Sequence, residues 1–250
     1  MPEVSIITPS YNASEFLEET IQSVIHQTFK DWEWLITDDQ SRDNSVEIIR
    51  KFNDPRIRLT IAEKNLGAGQ ARNLSLEKAT GRFITFLDSD DYWEPNFLEK
   101  MINFMKENHA ELAYSNYARC NEKLEPVLQD FKADTVVTFD NLLKTCRLSL
   151  LSSMYDSKRV GKFYFPKGSK REDHVMWLNL LKEIPSGMPL PLTLSKYRMR
   201  DGSVSRRKKD IIKDQYLVYK KFMGFSTLKS VYYTAHWAWN GFMKYSKIFN

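Results

Sequence analysis

Apolar runs and amphipathic runs take turns along the first part of the chain. VSIIT (residues 4–8), WEWLIT (32–37), IRLTI (57–61) and RFITFL (82–87) are short and rich in β-branched and aromatic side chains, and they predict strands. Between them the period lengthens. In SEFLEETIQSVIHQTF, Leu17, Ile21, Val24 and Thr28 share one helical face, with Ser14 as N-cap and Glu15, Glu18 and Glu19 at the positive end of the dipole. In SRDNSVEIIRKF, Asp43 is the expected cap and Val46, Ile49 and Phe52 line a face; GAGQARNLSLEKA predicts a third helix, begun by glycines. Strand and helix alternating at this pace predict an α/β, Rossmann-like fold, a mostly parallel central sheet flanked by helices.

Beyond Asp91 the alternation loosens. NFLEKMINFMKEN predicts a helix with Phe97, Met101, Phe104 and Met105 on one side, and ELAYSNYAR a further strand. Residues 120–136 read as irregular, FDNLLKTC as helical, and REDHVMWLNLLKE as a helix with Val175, Leu178 and Leu181 on its apolar face. One domain over residues 1–205 followed by a helical tail over 206–250 is the simplest organisation.

Composition narrows the classes. A chain of 250 residues with 42% hydrophobic content can bury a sizeable core, which excludes disorder. The start MPEVSIITPSYN lacks the basic and apolar regions of a signal peptide, and no apolar stretch reaches the ~18 residues of a membrane span. Cys120 and Cys146 lie far apart and outside any CxxC pattern, so buried reduced thiols are expected. The positive charge is concentrated at one end. From Arg206 to Asn250 there are ten Lys and Arg against two acids, whereas the whole chain is only +5, so the first 205 residues are slightly acidic. A nucleic-acid partner would call for positive charge on the folded body, and none is expected.

Ligands of parallel α/β sheets lie beyond the carboxyl ends of the strands. There the chain carries TPSYN, then Asp38 and Asp39, then EKNLGAGQARN, then FLDSDDYWEP. Asp88, Asp90 and Asp91 crowd like charges together after an apolar strand. Two carboxylates one residue apart suit a hard cation, Mn²⁺ or Mg²⁺, whose remaining ligands are phosphates and water. GAGQARN resembles a dinucleotide fingerprint, G-x-G-x-x-G, but Arg72 stands at the third glycine and the motif is not in the first βα turn.

VSIITPSYN, ITDDQSRDNS, EKNLGAGQARN, FLDSDDYWEP, REDHVMWLNLL and YRMRDGSVS, in this order, resemble the inverting family 2 glycosyltransferases of the GT-A fold, especially bacterial enzymes of teichuronic acid, capsule or O-antigen synthesis. The resemblance spans residues 4 to 205. It implies transfer of a hexose, galactose or glucose, from a UDP-sugar to a lipid-linked saccharide on polyprenyl diphosphate, at the cytoplasmic face of the cell membrane. By the same resemblance Pro9, Tyr11 and Asn12 make nucleotide contacts, Tyr11 near the uracil. Asp39 accepts from the base and Asp88 from the ribose or the metal shell, while Asp90 is the direct ligand of Mn²⁺ or Mg²⁺. Arg72, Arg198 and Arg200 are the candidate phosphate clamps, and Arg200 stands where many relatives carry a metal-binding histidine. Asp173 is the implied general base, and Asp91, Trp93 and Glu172 lie on the acceptor side.

The tail leaves two readings open. Phe225, Leu228, Tyr232, Ala235, Trp239 and Phe242 recur at helical spacing, with Lys220, Lys221, Lys229, Lys244 and Lys247 interspersed and no acid from Gln215 onward. Such a helix packs back on the domain, or lies in a membrane interface as a peripheral anchor. Two rival functions also stand at this point. A nicotinamide oxidoreductase would need the missing third glycine, and a non-catalytic membrane-binding module would need only the tail.

Overall fold

A computed structural model describes residues 1–200 and 210–246. The four foreseen strands form the parallel half of the sheet: β1 (Val4–Ser10), β2 (Trp32–Asp38), β3 (Ile57–Ile61) and β4 (Phe83–Phe86), in the order β3-β2-β1-β4. Helices α1 (Leu17–Ile25), α2 (Ser45–Lys51) and α3 (Ala68–Lys78) make the crossovers. Alternate strand residues feed different cores, as a period of two requires. Ile6, Trp34, Ile36 and Phe83 join Leu17, Ile21 and Val24 of α1 on one face, whereas Ile7, Leu35, Ile84 and Phe86 meet the other core.

The second half completes a nine-stranded sheet among the described residues, continuing β4-β8-β6-β9-β5. Its members are β5 (Tyr92–Trp93), β6 (Leu112–Cys120), β7 (Pro126–Phe131), β8 (Ser153–Asp156) and β9 (Met188–Arg198), with α4 (Phe97–Glu107), α5 (Phe139–Leu142), α6 (Ser157–Val160) and α7 (Glu172–Glu183) between them. β9 runs parallel to β6; β8, β7 and β5 run antiparallel to their neighbours. β8 pairs with Leu112, Ala113 and Tyr114 of β6, and β7 pairs further along it, between Tyr117 and Cys120. A close approach locks the base of β1. A Cβ on Gly81 would lie 2.5 Å from the Ser5 backbone nitrogen, so only glycine fits where the Gly81 N–H donates to Ser5 Oγ at 2.8 Å.

Several local expectations change. Residues 120–136 contain a strand, β7, turned back on β6 around Asn121, whose Oδ1 accepts from the N–H groups of Lys123 and Glu125 at 2.9 and 3.0 Å. β9 escapes prediction because Pro189 and Pro191 interrupt it and register shifts near Ser115 and Asn116 break its alternation. FDNLLKTC forms a single helical turn, capped reciprocally by Thr138 and Asn141. Ser14 does not cap α1: its N–H donates to Asp43 Oδ2 at 3.0 Å, while Asp43 Oδ1 takes the Ser45 N–H at 3.0 Å and the Ser45 hydroxyl at 2.5 Å. Asp43 thus ties together the loops that lead into α1 and α2. Burial opposes its charge, but these donors hold its pKa down to about 2. Cys120 is buried, as expected, whereas Cys146 is only half-buried.

The tail is helical and packs back on the domain. α8 (Ile211–Leu217) runs through a π-type turn, Val218–Phe222, before α9 (Thr227–Ser246). Val218, Tyr219 and Met223 are buried in the core that holds Trp177. The boundary proposed at residue 205, Lys247 and the end of the sixth motif lie outside the described residues. His174 ties α7 to this tail. Its Nε2–H donates to the Leu142 carbonyl at 3.1 Å, and its Nδ1 accepts from Gln215 at 3.1 Å.

His174 is neutral in the fold, because burial and then the Arg171 guanidinium hold its pKa down to about 4. An unfolded chain takes up this proton near pH 6.5, so the folded state binds fewer protons between those values. This contribution to stability is complete above about pH 6.5 and is lost as pH falls toward 4. Equilibrium urea unfolding is expected to show a steeper fall in midpoint over that window for the wild type than for His174→Asn; parallel profiles would contradict the assignment.

Candidate active site

The ends of β1, β2 and β4 lie on one rim, and residues from α3, α7 and β9 close over it. On the nucleotide side, Pro9 is buried within β1 and Tyr11 stands 48% exposed just beyond it. Asn12 adopts a left-handed φ of 48°, which an asparagine tolerates, and its side-chain oxygen accepts the Arg42 N–H at 2.8 Å. Asp39 is tied to backbone. Its Oδ1 accepts the Leu66 N–H at 2.7 Å and its Oδ2 the Gly67 N–H at 2.8 Å, holding the loop that starts α3. Each oxygen keeps a second lone pair, so these contacts leave acceptor capacity for the base that the sequence reading expects Asp39 to receive.

Each of the three aspartates of the FLDSDDYWEP loop meets a different arginine. Asp88 Oδ1 lies 2.5 Å from Arg72 Nη2. Asp90 Oδ2 lies 2.8 Å from Arg200 Nε. Asp91, buried, accepts the backbone N–H of Arg198 at 2.9 Å. The pairing does not cancel the crowding. Burial and the charge of Asp88 raise the Asp90 pKa against the pull of Arg200, and burial with both neighbouring acids raises Asp91 well above the carboxylate range.

Two of the three expected clamps are structural. The Arg72 side chain is 7% exposed and divides itself between Asp88 and Glu172 Oε1, 3.5 Å from Nη1, with the Phe165 ring beneath it. Arg198, 1% exposed, donates to the carbonyls of Asp90 and Glu122 and to Glu19 Oε2 at 2.7 Å, and stacks over Phe16. Arg198 uses all three of its nitrogens in these contacts, whereas the buried Nε of Arg72 has no hydrogen-bond partner. Arg200, 39% exposed, is the one that faces solvent.

The acceptor side also divides. Trp93 is buried, stacked on Phe97 with centroids 4.2 Å apart, and its indole N–H donates to the Leu151 carbonyl at 2.8 Å. It is a core residue rather than an acceptor contact, and buried Asp91 is likewise a brace for β9 rather than a contact surface. Glu172 and Asp173 begin α7, both partly exposed. Glu172 has a raised pKa, from burial opposed by Arg72, and it accepts the Gly69 N–H. Asp173 lies within electrostatic reach of Arg72 and Glu172. Arg72 therefore joins the end of β4 to the start of α7. Sequence reasoning missed Glu19 and Phe165; both are distant in sequence from the residues they support, and neither sits in a strand-end motif.

Asp88 and Asp90 offer hard oxygen donors to a cation. Among the described residues no cluster of three or more His, Cys, Asp or Glu gathers to hold a metal. The donor set fits Mn²⁺ or Mg²⁺ as ions that keep waters and take further ligands from phosphates.

Over residues 5–146 the chain matches the family described as glycosyl transferase family 2. The chain belongs to that family. It is 34% identical over 245 residues to the putative teichuronic acid biosynthesis glycosyltransferase TuaG of Bacillus subtilis, covering 97% of each chain. It is 38% identical over 244 residues to the UDP-Glc:α-D-GlcNAc-diphosphoundecaprenol β-1,3-glucosyltransferase WfgD of Escherichia coli, covering 97% of this chain and 95% of that one. Among solved structures, S. aureus TarS 1–349 in complex with UDP-GlcNAc superposes with a TM-score of 0.77 at 23% identity, over 94% of this chain and 71% of that one. The fold is thus GT-A-like. Family membership sets the nicotinamide reading aside and accounts for Arg72 in place of a third glycine.

Gly69 supplies the test of this geometry. A Cβ there would lie 2.2 Å from Glu172 Oε2, so Gly69→Ala must push the carboxylate away from the α3 N-terminus and Arg72. The carboxylate ends a flexible side chain and can swing aside, and alanine gains in helix propensity, so the expected cost in urea unfolding is no more than about 1 kcal/mol. Adding Glu172→Ala should relieve most of the clash; equal destabilisation with and without Glu172 would show that the Cβ meets something else.

Proposed function

We propose that the chain is an inverting, metal-assisted hexosyltransferase, moving glucose or galactose from a UDP-sugar to a saccharide on polyprenyl diphosphate. The product belongs to bacterial surface polysaccharide assembly, such as O-antigen, capsule or teichuronic acid, made at the cytoplasmic face of the membrane where a lipid-linked acceptor is anchored. The observation that carries this reading is the acidic end of β4 standing beside the acidic start of α7, with Arg72 buried between them. The names of the relatives TuaG and WfgD support the substrate class.

In this reading Tyr11 stacks on the uracil above Pro9, Asn12 shapes the same end, and Asp88 turns its second oxygen toward the ribose or the metal shell. Asp90, helped by Asp88, would hold Mn²⁺ or Mg²⁺, which when bound would supply positive charge against the departing diphosphate. Arg200 is the arginine exposed enough to meet the phosphate oxygens. Asp173 takes the proton from the acceptor hydroxyl as that oxygen bonds to the anomeric carbon. The bond from that carbon to the diphosphate breaks on the opposite side, which inverts the configuration and releases UDP. Glu172, held by Gly69 and Arg72, orients the first turn that carries the base.

A panel of nucleotide sugars, incubated with Mn²⁺ and a lipid-linked N-acetylhexosamine, tests the reading. Transfer is expected from a UDP-hexose. Asp173→Asn should lower kcat by roughly 10²–10⁴-fold while UDP still binds, and Asp90→Ala should lose both transfer and Mn²⁺-dependent UDP binding. Full-rate transfer by Asp173→Asn, or no turnover of any UDP-sugar, would overturn it.

A further inference from the structure

Helix α9 turns small polar residues with Tyr233 and Trp237 toward the domain and leaves a row of large apolar residues on its outer side. Ser230 and Thr234 are buried against the domain, and Tyr233 packs on the core with them. Leu228 is 85% exposed, Trp239 63% and Phe242 66%, with Val231, Tyr232 and Met243 also exposed. At 3.6 residues per turn these six fall in one stripe along the outer side of the helix. A helix that only packed back on its domain would carry polar residues on that outer side, and an apolar stripe of this length in water calls for a partner.

The surrounding charge selects the partner. From Gln215 to Asn250 the chain has no Asp or Glu. Lys220, Lys221 and Lys229 are exposed, and Lys229 flanks the stripe with its Nζ 4.1 Å from the Phe225 ring centroid. Aromatic side chains beside lysines, with acids absent, match the headgroup layer of a bilayer containing anionic lipid. No helix among the described residues is long and apolar enough to cross a membrane, so α9 would lie in the surface plane.

The inner side of α9 is fastened near the site. Asn240 donates to the Lys144 carbonyl at 3.0 Å, and the Arg171 guanidinium lies 5.3 Å over the Trp237 ring. Arg171 immediately precedes Glu172 and Asp173. We propose that the outer stripe of α9 is a membrane-binding surface for anionic bilayers, which docks the chain with the start of α7 close to the lipid. The link to a lipid-borne acceptor rests on the proposed transferase reading; the surface itself does not.

The full chain, sedimented with vesicles of phosphatidylglycerol and phosphatidylethanolamine or of phosphatidylcholine alone, tests this. Binding is expected to the anionic vesicles, weaker to the neutral ones, and reduced by roughly 10-fold or more in Trp239→Ser/Phe242→Ser. That variant should keep its wild-type rate on a short, water-soluble acceptor. Absence of binding to anionic vesicles, or equal binding by the variant, would overturn the proposal. So would a wild-type dimer in light scattering that the variant disperses without change in vesicle binding, since the stripe would then be a self-interface. Vesicle binding without turnover of any UDP-sugar would uphold the surface and remove the transferase reading instead.

Discussion

Asp88, Asp90 and Asp91 stand within four residues of one another at the end of β4. Two like charges 4 Å apart repel by about 4 kcal/mol at an effective dielectric of about 20. The loop keeps its shape because arginines from three places meet them: Arg72 from α3, Arg200 from beyond β9, and the backbone of Arg198 at the end of β9. These contacts draw the first and second halves of the sheet together. β5, too short to be a strand by itself, is held by β9 on one side and by Trp93 in the core.

That arrangement makes the site asymmetric. Two guanidinium groups are buried in building it, so the charge available to a diphosphate comes from Arg200 and from whatever cation Asp90 and Asp88 hold. Arg72 also reaches across to Glu172, which makes the geometry of the donor side and of the base helix interdependent. Gly69 belongs to the same device. Its missing side chain leaves the space that the Glu172 carboxylate occupies. The apolar stripe of α9 extends this logic outward, since Arg171 links the helix that carries the stripe to the first turn of α7.

The parallel half of the fold was legible in the sequence because β1, β2 and β4 are short runs buried on both faces, with β3 a β-branched strand at the edge, and helices alternate with them. The second half was not, for physical reasons that differ by element. β9 carries prolines and register shifts, β8 is four residues long, and β7 is largely exposed. For the site, strand-end position picked out loops that the fold brings to one rim, but residue type alone could not show which side chains are spent on the protein itself. Asp39, Arg72 and Arg198 have the chemistry of binding residues and spend much of it on the protein's own backbone and acids. Trp93 lies close to the aspartates in sequence, yet its indole is in the core. The tail was read as packing or interfacial; α9 packs on the domain by one side, and the interfacial reading of its other side is the proposal made above. Its period was visible, but which side the domain would cover was not.

The pairing of acids with arginines is tested most directly by a double-mutant cycle on stability, combining Arg72→Leu with Asp88→Asn in urea unfolding. The account predicts a coupling energy of about 1–3 kcal/mol, the two changes together costing less than the sum of each alone. Additivity to within about 0.5 kcal/mol would contradict it, because Arg72 would then be no support for Asp88.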